Sequence, residues 1–213
     1  MSIDDCGNHD RCKVRRLYLY LAAGALIVVF LILLTILIIW LLLFRPTRPE
    51  FYLQDASVQQ FNLTAGDSNA LTFVLNVGLS SRNPNDRVGI YYDKLDAFAA
   101  YRGQQITGCT ALPFGYQGHH DASVWWPFLV GEGVPLAEYT AVAMERDAAA
   151  GLLLLDVKID GRLRWKAGPW TYGHRHLHVD CPASISVDHG TGTSGSSAPS
   201  FHFRQTTSCT VDV

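Results

Sequence analysis

The sequence predicts a mainly β protein: an antiparallel β-sandwich of about seven strands with one short helix, following a single N-terminal transmembrane helix. Two observations carry that prediction. From Leu17 to Phe44 the chain has no charged residue and is almost wholly apolar. From Phe51 onward the pattern changes to a period of two, as in LTFVLNVGLSS, in short runs rich in Val, Ile, Thr, Tyr, Phe and Trp and bounded by Gly, Pro, Asn and Asp.

A helix rises about 1.5 Å per residue, so about 20 residues cross the hydrocarbon core of a bilayer. The run 17–44 is long enough to cross even when tilted. A cleaved signal peptide has an apolar region of roughly 7 to 15 residues that ends at a small-residue site. Here the run is longer and exits into FRPTRPEF, which reads as an uncleaved signal anchor. Arg11, Lys13, Arg15 and Arg16 precede it, whereas only Arg45 and Arg48 follow closely. Basic residues hold their flank in the cytosol, so residues 1–16 are expected inside and the C-terminal domain outside or in a lumen. The lipid bilayer is thus the first expected partner.

The segment RPTRPE, 45–50, reads as an extended proline stalk. Strand-like runs then follow over 51–187: FYLQDASVQQFNLT, ALTFVLNVGLSS, RVGIYYDKLDAFAAY, QQITGCTALP, SVWWPFLV, GLLLLDVKIDG, RLRWKAG and RHLHVDCPASISV. Many short strands at regular spacing imply two packed antiparallel sheets of the immunoglobulin or fibronectin type III kind. Within them PLAEYTAVAMERDAAAG is Ala-rich and closed by Gly151, which predicts a helix over 137–149. Asn83, Pro84 and Asn85 break two alternating runs and mark a turn, because Pro lacks a donor and Asn hydrogen-bonds its own backbone. The Gly/Ser/Thr-rich stretch 188–200 reads as a disordered linker, and 201–213 alternates again as a closing strand or tail.

From Arg45 onward the chain carries 13 basic and 16 acidic side chains, a weakly acidic surface that argues against nucleic-acid binding. Cys6 and Cys12 fall on the cytosolic side, where thiols stay reduced and a juxtamembrane Cys12 is a palmitoylation candidate. Cys109, Cys181 and Cys209 fall in the oxidising compartment, where three cysteines allow one internal bridge. Cys181 with Cys209 would pin the tail across the linker; pairing of either with Cys109, or no bridge, are the alternatives.

His174, His176 and His178 occupy alternate positions, so in a strand they share one face. Such a row could bind a metal ion or gain charge at acidic pH, but four-ligand spacing is missing and a solvated face is the simpler reading. No metal or other cofactor is expected. Asn62-Leu63-Thr64 is an N-glycosylation acceptor in the compartment where glycans are added. Of the tryptophans, adjacent Trp125 and Trp126 must point to opposite faces of a strand, which makes them the candidate contact surface. Nucleophile-elbow, zincin and phosphate-loop motifs do not occur, so an enzyme is not expected.

The order of features is itself informative: a basic N-terminus, one anchor, a proline stalk, the Asn-Pro-Asn turn followed by IYYD, then GRLRWKAGPW and HLHVDCPASISV. Over nearly its whole length the chain resembles the plant NDR/HIN-like proteins, which carry the late-embryogenesis-abundant type-2 domain. The resemblance implies a plasma-membrane protein with an extracellular sandwich, linked to pathogen and dehydration responses, that acts by contacting membrane proteins, cell wall or lipid. The His-rich strand and the Gly/Ser-rich tail depart from the family. The reading that follows is a membrane-anchored binding protein; a lipid-handling or membrane-stabilising protein with an apolar groove is the alternative.

Overall fold

The computed structural model describes residues 6–43, 46–64, 69–188 and 200–213, with side chains of the N-terminal helix described over 14–41. The chain divides into two compact units, Met1–Arg45 and Pro46–Val213. The first unit is one helix, α1 (Cys6–Leu43), so the basic segment that precedes the apolar run is already helical. Its candidate span Val14–Leu41, 28 residues, is apolar apart from Arg15 and Arg16 at its start and has its side chains exposed throughout. At about 1.5 Å per residue that span measures about 42 Å, more than the roughly 30 Å hydrocarbon core requires.

The second unit is a sandwich. Its strands are β1 (Glu50–Thr64), β2 (Ala70–Arg82), β3 (Val88–Tyr101), β4 (Gln104–Gln105), β5 (Thr110–Ala111), β6 (Tyr116–Gln117), β7 (Ala122–Trp125) and β8 (Phe128–Pro135). After helix α2 (Glu138–Ala149) come β9 (Leu152–Ala167), β10 (Trp170–Asp188), β11 (Ser200–Phe203), β12 (Thr207–Ser208) and β13 (Thr210–Asp212). One sheet runs β12-β1-β2, with β7 and β8 both on the far side of β2. The other runs β11-β10-β9-β3-β4, with β13 also on β10 and β5 and β6 also on β3. All pairings are antiparallel. Six strands of eight or more residues form the frame, and short strands fill its edges, which raises the expected seven to thirteen among the described residues.

Alternation builds the core. Leu71, Phe73, Leu75, Val77 and Leu79 of β2 face Leu153, Leu155, Val157, Ile159 and Leu163 of β9, all essentially without solvent contact. Each such side chain contributes about 1.5–3 kcal/mol when fully buried.

Several boundaries differ from the sequence reading for identifiable reasons. Gly161 looks like a turn between two runs, yet β9 continues through it. A β-carbon there would collide with the Lys94 carbonyl oxygen and Leu95, beside the bulge between Tyr92 and Lys94 of β3. Glycine marks a close backbone approach, not a break. SVWWPFLV is two strands, because Pro127 has no N–H to donate and its carbonyl instead receives Val77 N at 3.1 Å. Helix α2 starts at Glu138, with Ala137 still extended at φ −62°, ψ 141°, and Gly151 at φ +84° ends its exit turn.

The proline segment is not a free stalk from Thr47 onward. Thr47 N donates to Asn85 Oδ1 at 2.7 Å, Asn85 Nδ2 donates back to Thr47 O at 2.8 Å, and Pro49 is buried. The tail is not one strand either: β11 and β13 pair with β10, whereas β12 between them crosses to β1 of the opposite sheet. Asp188 and Ser200, the ends of the supposed linker, pair with each other, and residues 189–199 lie outside the described residues.

Candidate functional site

The turn at 83–85 is a buried polar hub. Asn83 is fully buried; its Nδ2 donates to Val88 O and Gly118 O, both at 2.8 Å, and its Oδ1 accepts from Asn85 N at 3.1 Å and Asn85 Nδ2 at 2.8 Å. Asn85 then holds Thr47. The Asn-Pro-Asn turn therefore joins β2 to β3, as its sequence implies, and also fixes the entry of the chain into the sandwich, which its local sequence does not announce. Beside it Tyr92, Ser81 and Gln117 share buried hydrogen bonds, and burial raises the Tyr92 hydroxyl pKa.

The two tryptophans take opposite environments. Trp125 stacks on Phe51 with centroids 6.5 Å apart and donates Nε1–H to Pro113 O at 3.0 Å. Trp126 is 55% exposed, and its ring lies over Gly78, where a β-carbon would come within 2.7 Å. With Val124, Phe128 (53% exposed) and Val130 it makes an apolar row on the outer face of the β2–β7–β8 sheet. The signal was in the sequence: positions 124, 126, 128 and 130 alternate with inward-facing Trp125 and Leu129. The other tryptophans that could stack on a ligand are divided, Trp165 buried in the core and Trp170 exposed.

The outer face of the second sheet is segregated by charge. Along β9 the outward positions read Asp156, Lys158, Asp160, then Arg162, Arg164, Lys166. An open groove of about 580 Å³ covers the acidic half and includes Asp180, Asp212 and His178. Lys158 pairs with Asp180 at 3.0 Å, and the aspartate holds the lysine above its ordinary pKa. Burial, then the Asp180 charge, raises the Asp156 carboxyl. In the basic half Arg164 makes a two-pronged contact with Asp93, and Lys166 sits over the rings of Tyr116 and Tyr91 at 4.8 and 5.4 Å.

The histidine row holds together: His174, His176 and His178 line one open groove with Arg175 and Asp212. His176 pairs across from Arg162, and His178 Nδ1 is 2.6 Å from Asp160 Oδ1. The register shift between Tyr172 and Arg175 falls at Gly173, at φ +69°, and leaves the three on one side. Among the described residues no three His, Cys, Asp or Glu side chains converge to hold a metal ion. His120 in the neighbouring loop is 2.6 Å from Asp86.

Asn62 and Thr64 are exposed near the end of β1, with Phe61 turned the other way onto Phe73 and Phe201. Cys181 and Cys209 are joined in a disulfide, and Cys109 is exposed and free. The Cys12 side chain lies outside the described side chains.

In chain order the architecture is an apolar helix, a two-sheet antiparallel sandwich and a tail whose strands pair with both sheets. The late embryogenesis abundant protein family model matches residues 78–182. The chain is 44% identical over 98% of its length to NDR1/HIN1-like protein 1 of Arabidopsis thaliana, covering 99% of that protein. It is 42% identical to NDR1/HIN1-like protein 12 of the same plant, over 88% of each chain, and 41% identical to NDR1/HIN1-like protein 26, over 73% and 72%. The chain belongs to the plant NDR1/HIN1-like family, with its late embryogenesis abundant domain.

Proposed function

We propose that this chain is a non-enzymatic binding protein anchored in the plasma membrane, with its N-terminus cytosolic, that serves plant defence or stress signalling through an extracellular sandwich. One observation carries the binding role: the apolar row Val124, Trp126, Phe128 and Val130 stands exposed on a sheet face. An aromatic anchor of this kind is what a local protein-recognition site uses. Several carboxylates of the domain are committed to neighbours, Asp93 to Arg164 and Asp180 to Lys158 on the opposite sheet and Asp147 of α2 to Tyr101 and Arg102, which supports contact over catalysis.

The test is complementation. In plants lacking this chain, Trp126→Ser with Phe128→Ser, expressed at wild-type abundance and location, should fail to restore the pathogen or dehydration response. Full restoration would refute the assignment. A lipid-handling role asks for a continuous apolar groove; the groove on the second sheet has Phe98, Val179 and Pro182 in its lining but is interrupted by the charges of Asp156, Lys158, Asp160 and Asp180, which favours the binding role.

The same topology makes Asn62 a glycosylation site, since its acceptor side chain and Thr64 are both exposed. Enzymatic deglycosylation should increase gel mobility of the wild type and leave Asn62→Gln unchanged. Identical mobility before and after treatment would overturn this assignment.

A further inference from the structure

The hairpin between β9 and β10 ends in a two-residue turn, Gly168-Pro169, with Gly168 at φ +58°. Immediately after it Trp170 is 76% exposed, the barest large apolar side chain on the molecule outside the N-terminal helix and its flank. A turn of this kind needs no tryptophan, and the ring packs on no aromatic neighbour among the described residues. Three cations lie toward this end: Lys166 across the hairpin, Arg87 next to Val88, which pairs with Ala167, and Arg175 five residues along β10 from Trp170; Asp86, beside Arg87, is 2.6 Å from His120. Arg87 and Arg175 are exposed and form no ion pair among the described residues. An exposed ring among unpaired cations is the combination that suits the boundary between apolar chains and phosphate head groups.

The fold also fixes which end of the sandwich this is. Thr47, the first residue that the sandwich grips, is held by Asn85; Asn85 is bonded to Asn83, whose Nδ2 reaches Val88 O; Val88 pairs with Ala167 at the hairpin tip. Chain entry and Trp170 therefore lie at one end of the domain. The sequence that enters there is preceded by a bilayer-length apolar span, so a phosphate-bearing bilayer surface is the occupant available to that end.

We infer that the β9–β10 tip is a bilayer-docking site, in which Trp170 inserts at head-group depth and Arg87, Lys166 and Arg175 meet lipid phosphates. This rests on the membrane-anchored reading above. Docking makes the sandwich lie in a fixed attitude and leaves the Trp126 row at the other sheet available for recognition.

The test uses the full chain reconstituted into phosphatidylcholine nanodiscs, with and without phosphatidylglycerol, carrying a lipid quencher at the glycerol level. The Trp170 contribution is the emission difference between wild type and Trp170→Phe. That contribution should be quenched by the lipid and shielded from acrylamide, while the difference for Trp126→Phe shows the reverse. Arg87→Gln with Arg175→Gln, which breaks no ion pair or side-chain hydrogen bond among the described residues, should lower the ratio of docked to undocked domain in anionic discs about twenty-five- to thirtyfold, from about fivefold for each cation lost. If the chain co-migrates with the discs and Trp170 remains open to acrylamide in both compositions, docking is overturned and anchoring stands. A chain that does not co-migrate overturns both. Protection that appears only on adding polygalacturonate overturns the lipid assignment in favour of an acidic polymer.

Discussion

The disulfide offers the most quantitative check on how the sandwich is closed. Cys181 sits in β10 and Cys209 between β12 and β13, 28 residues further along. In the loop-entropy model, cross-linking a loop of that length removes about 12 cal/mol/K from the unfolded chain, or about 3.6 kcal/mol at room temperature. The perturbation is reduction of the wild-type chain, which cuts the link without removing an atom from the core. Cys181→Ala with Cys209→Ala is the companion, and should cost somewhat more because Cys181 is fully buried. Urea titration in detergent micelles, followed by tryptophan emission with and without reductant, reads the difference directly. At about 2–4 °C per kcal/mol for a domain of this size, melting should fall by about 7–14 °C. A reduced chain that unfolds within about 1 kcal/mol of the oxidised one would refute the reasoning. It would mean that strand pairing by β11, β12 and β13 alone holds the tail in place.

Three further outcomes follow from particular contacts. Gly161→Ala should destabilise by about 1–3 kcal/mol in the same titration, because the added carbon meets the Lys94 carbonyl, a backbone atom that cannot swing aside; a neutral result would show that the β3 bulge yields. Asn85→Ala removes both hydrogen bonds to Thr47 and should cost about 1–3 kcal/mol, with a non-specific protease such as proteinase K cutting faster around Thr47; unchanged proteolysis would mean that Thr47 is held by other contacts. Buried Tyr101 donates to Asp147 at 2.6 Å, and burial, then that hydrogen bond, pushes its pKa from 10.0 up to about 12. Because the folded pKa is the higher, this stabilisation is complete below pH 10 and is lost as pH rises through about 12. Melting of the wild type should therefore fall across that window by about 2–3 kcal/mol more than melting of Tyr101→Phe, and parallel curves would count against it.

The long elements were legible because burial on one face writes a period of two into the sequence. β2, β3 and the LHVDCPASISV part of β10 follow directly from it, and Trp126 follows from the requirement that neighbouring residues face apart. What stayed hidden depends on partners distant in the chain. Gly161 looks like a turn until the Lys94 carbonyl is placed against it. Thr47 looks like part of a stalk until Asn85, 38 residues away, bonds both its amide and its carbonyl. The alternate spacing of His174, His176 and His178 did foretell that they line one groove, but not the Asp160 that sits 2.6 Å from His178. The charge segregation along β9 was readable as alternate residues D-K-D-R-R-K, and was missed because the run was divided at Gly161.

The crossing of β12 to β1 bears on how the domain is made. β1 is synthesised first among the strands, yet the segment that covers Tyr52 and Leu53 on its outer edge is Thr207-Ser208. Until that segment arrives, β1, with its apolar side chains Phe51 and Leu53, has one edge open to any extended chain. Contacts this distant also form slowly. Closure of β1 is therefore a late event in folding, complete only when the tail crosses over and Cys209 meets Cys181.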